Sequence, residues 1–166
     1  MLTNDQIVWT MITTFLATFY NSANVYMSNQ NYYTVGIEDE FVIINKKSPK
    51  QHYTPNRYFD VTNQKKILWG YNDIQYQVDL YGIIADDAMN ALYTILMSTA
   101  GSNFLMQYNA GIGEIKEPLN LTKSNDRDNY MSRYMILFTL LSNTKIELPA
   151  TGISNTDIKI NIKNYT

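Results

Sequence analysis

The chain has no cysteine among its 166 residues, a single histidine (His52) and only four prolines. Without cysteine there is no disulfide scaffold, no thiolate zinc or iron–sulfur site and no cysteine nucleophile. One histidine excludes a histidine-rich metal site and leaves a catalytic triad a single candidate base. Charge is sparse as well: 17% of residues are charged and the net charge is −2, so the basic stripe of a general nucleic-acid binder is missing. Nowhere do about 18 apolar residues run uninterrupted, and no membrane span is expected. The apolar N-terminal stretch is broken by Asn4, Asp5, Gln6, Thr10, Thr13 and Thr14 and lacks a basic leader, so it does not read as a signal peptide. The expectation is a soluble chain of the cytoplasm, or of something assembled there.

What is present suffices for one domain over residues 1–166, burying roughly 70% of the unfolded surface. Apolar residues at 7, 8, 11, 12, 15, 16 and 19 predict a helix from about Asn4 to Tyr20, opened by a Thr3–Gln6 capping box. Val25-Tyr26-Met27 reads as a short strand, and Phe41-Val42-Ile43-Ile44 as a strand buried on both faces. Lys46 to Pro55, with Ser48-Pro49 and Thr54-Pro55, reads as a loop or irregular edge. Arg57–Trp69 and Ile74–Ile84 read as a hairpin turning at Gly70-Tyr71-Asn72-Asp73. In the second of these strands Ile74, Tyr76, Val78 and Leu80 alternate with Gln75, Gln77 and Asp79.

A second helix is expected over about Asp86–Thr99, N-capped by Asp86 or Asp87, with Met89, Leu92, Ile95 and Leu96 inward. Ala100-Gly101-Ser102 should break it, Asn103–Tyr108 adds a further turn, and Ala110-Gly111-Ile112-Gly113 forms a flexible joint. Strands Glu114–Thr122 and Tyr130–Leu141 follow, with a terminal strand carrying Ile158, Ile160 and Ile162. This order predicts an α+β fold, an antiparallel or mixed sheet with two main helices on one face.

Few residues invite chemistry. Asp86-Asp87 could pair for acid–base work or a metal, but a helix start already explains them. Glu38-Asp39-Glu40 is the densest acidic cluster, and it lacks the spacing of a calcium loop. His52 lies in a proline-flanked loop, and a small enzyme would need it to converge with Asp86 and Asp87 from different elements. Gly111-Ile112-Gly113 lacks the third glycine and the context of a dinucleotide fingerprint. No catalytic, cofactor-binding or metal site is therefore expected. The 14 tyrosines are harder to dismiss: each joins an apolar body to a polar tip, which suits sheet packing and protein interfaces alike.

Two segments resemble the neck or tail terminator proteins of long-tailed bacteriophages. One is Gln77-Val78-Asp79-Leu80-Tyr81-Gly82 followed by Ala85-Asp86-Asp87-Ala88; the other is Tyr130-Met131-Ser132-Arg133-Tyr134 with Leu141, Asn143 and Pro149 following. Glu117-Pro118-Leu119-Asn120, the N-terminal amphipathic stretch and Phe41–Ile44 fall in a matching order. Between Ser28 and Pro55 the chain departs from the family outside that one strand. The resemblance implies a structural virion protein assembled in the host cytoplasm and without cofactor. It would form a ring, usually hexameric, at the head-proximal end of the tail. The implied partners are other copies of the chain, the tail tube and sheath proteins, and the head connector or stopper, with DNA passing through unread and no membrane. A stopper or tube-like subunit is the alternative. Within that picture Glu38, Asp39 and Glu40 are expected to face the channel, repelling phosphates. Tyr81, Tyr130, Arg133 and Tyr134 are expected to organise the sheet or a subunit contact.

Overall fold

The computed structural model describes residues 2–28, 40–51, 56–63, 65–124 and 130–149. In chain order these form α1 (Asn4–Phe15), a 3-10 turn (Ser22–Asn24), β1 (Val25–Met27), β2 (Phe41–Gln51), β3 (Asn56–Asp60) and β4 (Lys65–Tyr81). Then come α2 (Ala85–Met97), α3 (Thr99–Met106), β5 (Ala110–Ile115), β6 (Leu119–Asn120), β7 (Lys123–Ser124), β8 (Tyr130–Met131) and β9 (Arg133–Pro149). Seven strands make one sheet in the order β1-β2-β4-β9-β5, with β3 beside β4 and β6 beside β9, while β7 and β8 pair separately. Among the described residues only β1 with β2 is parallel, so the sheet is mixed and the class is α+β as expected, with α3 a helix of its own where a further turn was expected.

The alternation read in the sequence decides which face is covered. Ile74, Tyr76, Val78 and Leu80 of β4 are buried beside their register neighbours Val42, Ile44, Ile136, Phe138 and Leu140. Ile7, Val8, Met11 and Ile12 of α1 and Ala88, Met89, Leu92 and Leu96 of α2 complete the same core cluster. Tyr76 and Phe138 stack at 6.0 Å in its middle. Burying side chains of this size stabilises by roughly 1.5–3 kcal/mol each.

The capping box forms: Thr3 Oγ1 accepts from Gln6 N at 3.2 Å, and Thr3 N donates to Gln6 Oε1 at 2.8 Å. The helix it opens stops at Phe15, short of Tyr20. Thr10, Thr13 and Thr14 hydroxyls all donate back to carbonyls of the preceding turn, which competes with the helix ladder. Leu16 and Tyr20 stay buried beyond the helix end.

Several sequence expectations are corrected. Gly70-Tyr71-Asn72-Asp73 is not a turn; β4 runs straight through it, Gly70 opposite Thr144 and Asp73 opposite Leu141. A continuous ladder with β9 outweighs the local turn preference. The reversal lies at Val61–Asn63, where the Asp60 carboxylate accepts from Thr62 N, Asn63 N and Asn63 Nδ2 at 3.1, 3.2 and 2.9 Å. Lys46–Gln51 is strand rather than loop, with a register shift between Lys46 and Pro49 that accommodates the proline. Residues 52–55, which include His52, lie outside the described residues, as does the expected strand at 158–162.

α2 is capped by Ile84 without a side-chain bond, and Asp86 and Asp87 sit in its first turn instead of at the cap. Ala100-Gly101-Ser102 is helical, because the break comes earlier, at Ser98, whose Oγ accepts from Ala100 N at 3.1 Å. Gly101 lets α3 close on α2: a Cβ there would stand 2.7 Å from the Ile95 carbonyl oxygen. Ala110–Gly113 is strand, with Gly111 and Gly113 lying against Leu141 of β9.

Candidate assembly surfaces

The sheet face opposite the helices carries the polar half of the alternation. Asp79, read from sequence as one polar position among several, is the most buried charge described there, 1% exposed. Its Oδ1 accepts from Arg133 Nε at 3.2 Å and Nη2 at 3.0 Å. Its Oδ2 accepts from Gln77 Nε2 at 2.7 Å and Asn45 Nδ2 at 3.3 Å. Four donors from three strands thus saturate one carboxylate.

Arg133 lies opposite Tyr81 in the β4–β9 register, and its guanidinium stands 5.4 Å from that ring's centroid. On the other side Tyr81 stacks on Phe41 at 4.4 Å. Phe41, Tyr81 and Arg133 therefore form a row across β2, β4 and β9. Phe41 is buried in this row, while Tyr81 and Arg133 stay half-buried. Ile43, Met135, Leu137 and Leu141 continue that face, half-buried or exposed.

Tyr134 occupies a second junction at the same end of the sheet. Asn120 Nδ2 donates to its hydroxyl at 3.0 Å, tying β6 to β9. Loss of hydration and the neighbouring Asp86 carboxylate, with which the hydroxyl also bonds, raise its phenol pKa above the ordinary value. Gly82 N donates to Ser132 O at 3.1 Å, and a φ of 115° there turns the chain from β4 into α2.

Of the acidic cluster, Glu38 and Asp39 lie outside the described residues. Glu40 stands just before β2, its carbonyl accepting from Asn24 Nδ2 at 3.3 Å. Burial, and then Glu40, push the Tyr20 phenol well above the usual tyrosine range, and its hydroxyl donates to Tyr81 O at 3.1 Å. Tyr130 is placed only as backbone, in β8 opposite Ser124. Among the described residues no three histidine, aspartate or glutamate side chains gather into a metal-binding group. No described helix is long and apolar enough to cross a membrane.

The structure brings Tyr81 and Arg133 together, sets Tyr134 one residue further along β9, and adds two partners the sequence reading left unassigned, Asp79 and Phe41. The signal for both was the pairing of β4 with β9 and β2, which period-two alternation cannot supply by itself. A comparison with curated proteins finds no match to the chain. A family model described as phage neck terminator protein matches residues 6–165, which takes in all of the elements above except the first two residues of α1. The chain belongs to the phage neck terminator proteins, structural parts of the virion that meet other head and tail proteins.

Proposed function

We propose that the chain closes into a hexameric ring at the head-proximal end of the tail, ends the tail tube there and joins it to the head connector. DNA passes through the ring without being read, and the protein catalyses nothing. The observation that carries this reading is the family match over residues 6–165. A sheet with helices on one face supports it, because the opposite face keeps Ile43, Met135, Leu137 and Leu141 near solvent in the isolated chain. Within the ring Glu38, Asp39 and Glu40 line the channel, and Tyr81, Tyr130, Arg133 and Tyr134 support subunit contacts from the sheet.

Localisation in intact particles tests this directly. Antibody labelling or image reconstruction of the neck should place one ring of this chain between the last tube ring and the connector. Copies distributed along the tube would instead make it a tube-like subunit. A ring lying within the connector, with another protein capping the tube, would make it a stopper.

A further inference from the structure

The helices cover only part of the sheet. No residue of 56–63, 65–73 or 143–149 belongs to the main core cluster, and of these Ile67 alone is a buried hydrophobic among the described residues, so β3 and the far ends of β4 and β9 form a three-stranded arm beyond the described helices. Three strands that share no face with the main core are marginal on their own. The arm nevertheless holds large apolar side chains in water: Tyr58, Phe59 and Tyr71 are exposed, and Val61 at its tip is 76% exposed. Phe59 lies opposite Lys66, and Arg57 is two residues along the same strand, so one side of the arm combines an aromatic with two exposed cations. Arg57 and Lys66 make no ion pair among the described residues.

The other end of β4 has the complementary character. Ile83, two residues past the end of β4, is 91% exposed, and Leu119 is exposed on β6. The same end carries Asp86, Asp87 and Glu117, all exposed, with Lys116 next to Glu117 in the chain and Arg133 already paired with Asp79. Apolar area with cations at one end thus meets apolar area with carboxylates at the other. The ends are separated by a 17-residue strand, about 50 Å at the usual rise per residue.

We propose that the arm of one copy docks on the acidic end of the next copy, Arg57, Phe59 and Lys66 against Ile83, Asp86 and Asp87. This contact rests on the ring reading above and names the surfaces that build the ring. Two different patches at opposite ends make a heterologous contact, which repeats from copy to copy and closes when the rotation allows. Nucleic acid is the poorer occupant for the arm. Its exposed aromatic and valine side chains gain nothing from phosphates, and Asp60, Asp73 and Glu147 interrupt its cations.

The cysteine-free chain makes the test clean. Particles carrying Val61→Cys together with Ile83→Cys are treated with a short bismaleimide, which cannot span the two ends within one chain. The expected result is a ladder of covalent multimers up to the ring's copy number, with neither single-cysteine chain giving more than monomer. Adding Arg57→Glu and Lys66→Glu should cut the ladder at least fivefold. Rings seen in the neck without a ladder would overturn the docking while leaving the ring reading standing. Dimers from Val61→Cys alone would mean arm-to-arm pairing, and adducts with another virion protein or DNA would give the arm a different occupant; each overturns the proposal. Absence of any ring in the particles would remove the ring reading and this contact with it.

Discussion

Asp79 shows how one side chain can commit a whole sheet to its register. Its carboxylate is 1% exposed and is held by Arg133, Gln77 and Asn45. Removing Arg133 strands a buried charge with two amide donors. Breaking a fully buried pair costs about 3–5 kcal/mol, but the Arg133 side chain is 38% exposed, so Arg133→Ala should cost nearer 2 kcal/mol. Urea unfolding reads this directly, and the pair Asp79→Leu with Arg133→Met should recover part of the loss by removing both charges. Tyrosines set a different limit. Burial raises the phenols of Tyr20 and Tyr76 far above the ordinary tyrosine range, and Tyr76 also donates to Asp5 Oδ1 at 2.6 Å. Above pH 10 the unfolded chain loses those protons and the folded chain keeps them. Stability is therefore fully present below pH 10 and should fall by about 1.4 kcal/mol per pH unit for each of the two as pH rises further. Tyr76→Phe should cost about 1 kcal/mol at pH 7 through the lost hydrogen bond, yet flatten the alkaline decline, as unfolding curves at pH 7 and 11 would show.

At the scale of elements, local preference and packing compete, and the winner differs from place to place. Gly101→Ala illustrates this. Alanine gains about 1 kcal/mol of helix propensity, but its Cβ would stand 2.7 Å from the Ile95 carbonyl and 3.1 Å from Leu96 Cα, both backbone. Backbone cannot move aside cheaply, so a net loss of about 1–3 kcal/mol is expected, visible as a lower melting temperature. The same competition explains what the sequence reading could see. Period two in Ile74–Leu80 and the 3.6 period of α1 and α2 were legible because each buries one face on its own periodicity. Gly70–Asp73 and Ala110–Gly113 read as turn and joint because their composition is turn-like, whereas their pairing with β9 is remote in sequence. The Asp79–Arg133 pair was invisible for that reason too: 54 residues separate its members. Tyr81, Arg133 and Tyr134 stand out in the sequence through the family resemblance alone, which carries no view of the contacts that join them.

For the whole molecule, one consequence concerns the channel. If Glu38, Asp39 and Glu40 keep the passage non-adhesive, replacing all three with lysine should leave particles assembled and slow DNA release. Ejection kinetics followed by dye binding would check this; an unchanged rate would place the cluster away from the channel. A second consequence is mechanical. β4 and β9 are matched without a slip from Lys65 opposite Pro149 to Tyr81 opposite Arg133. A pull applied along the strands from opposite ends loads all of those rungs together, in shear. Nothing can open them one at a time from a loose end, as peeling would. This neck protein thus has its stiffest direction along β4, running from the arm tip to the junction at Tyr81.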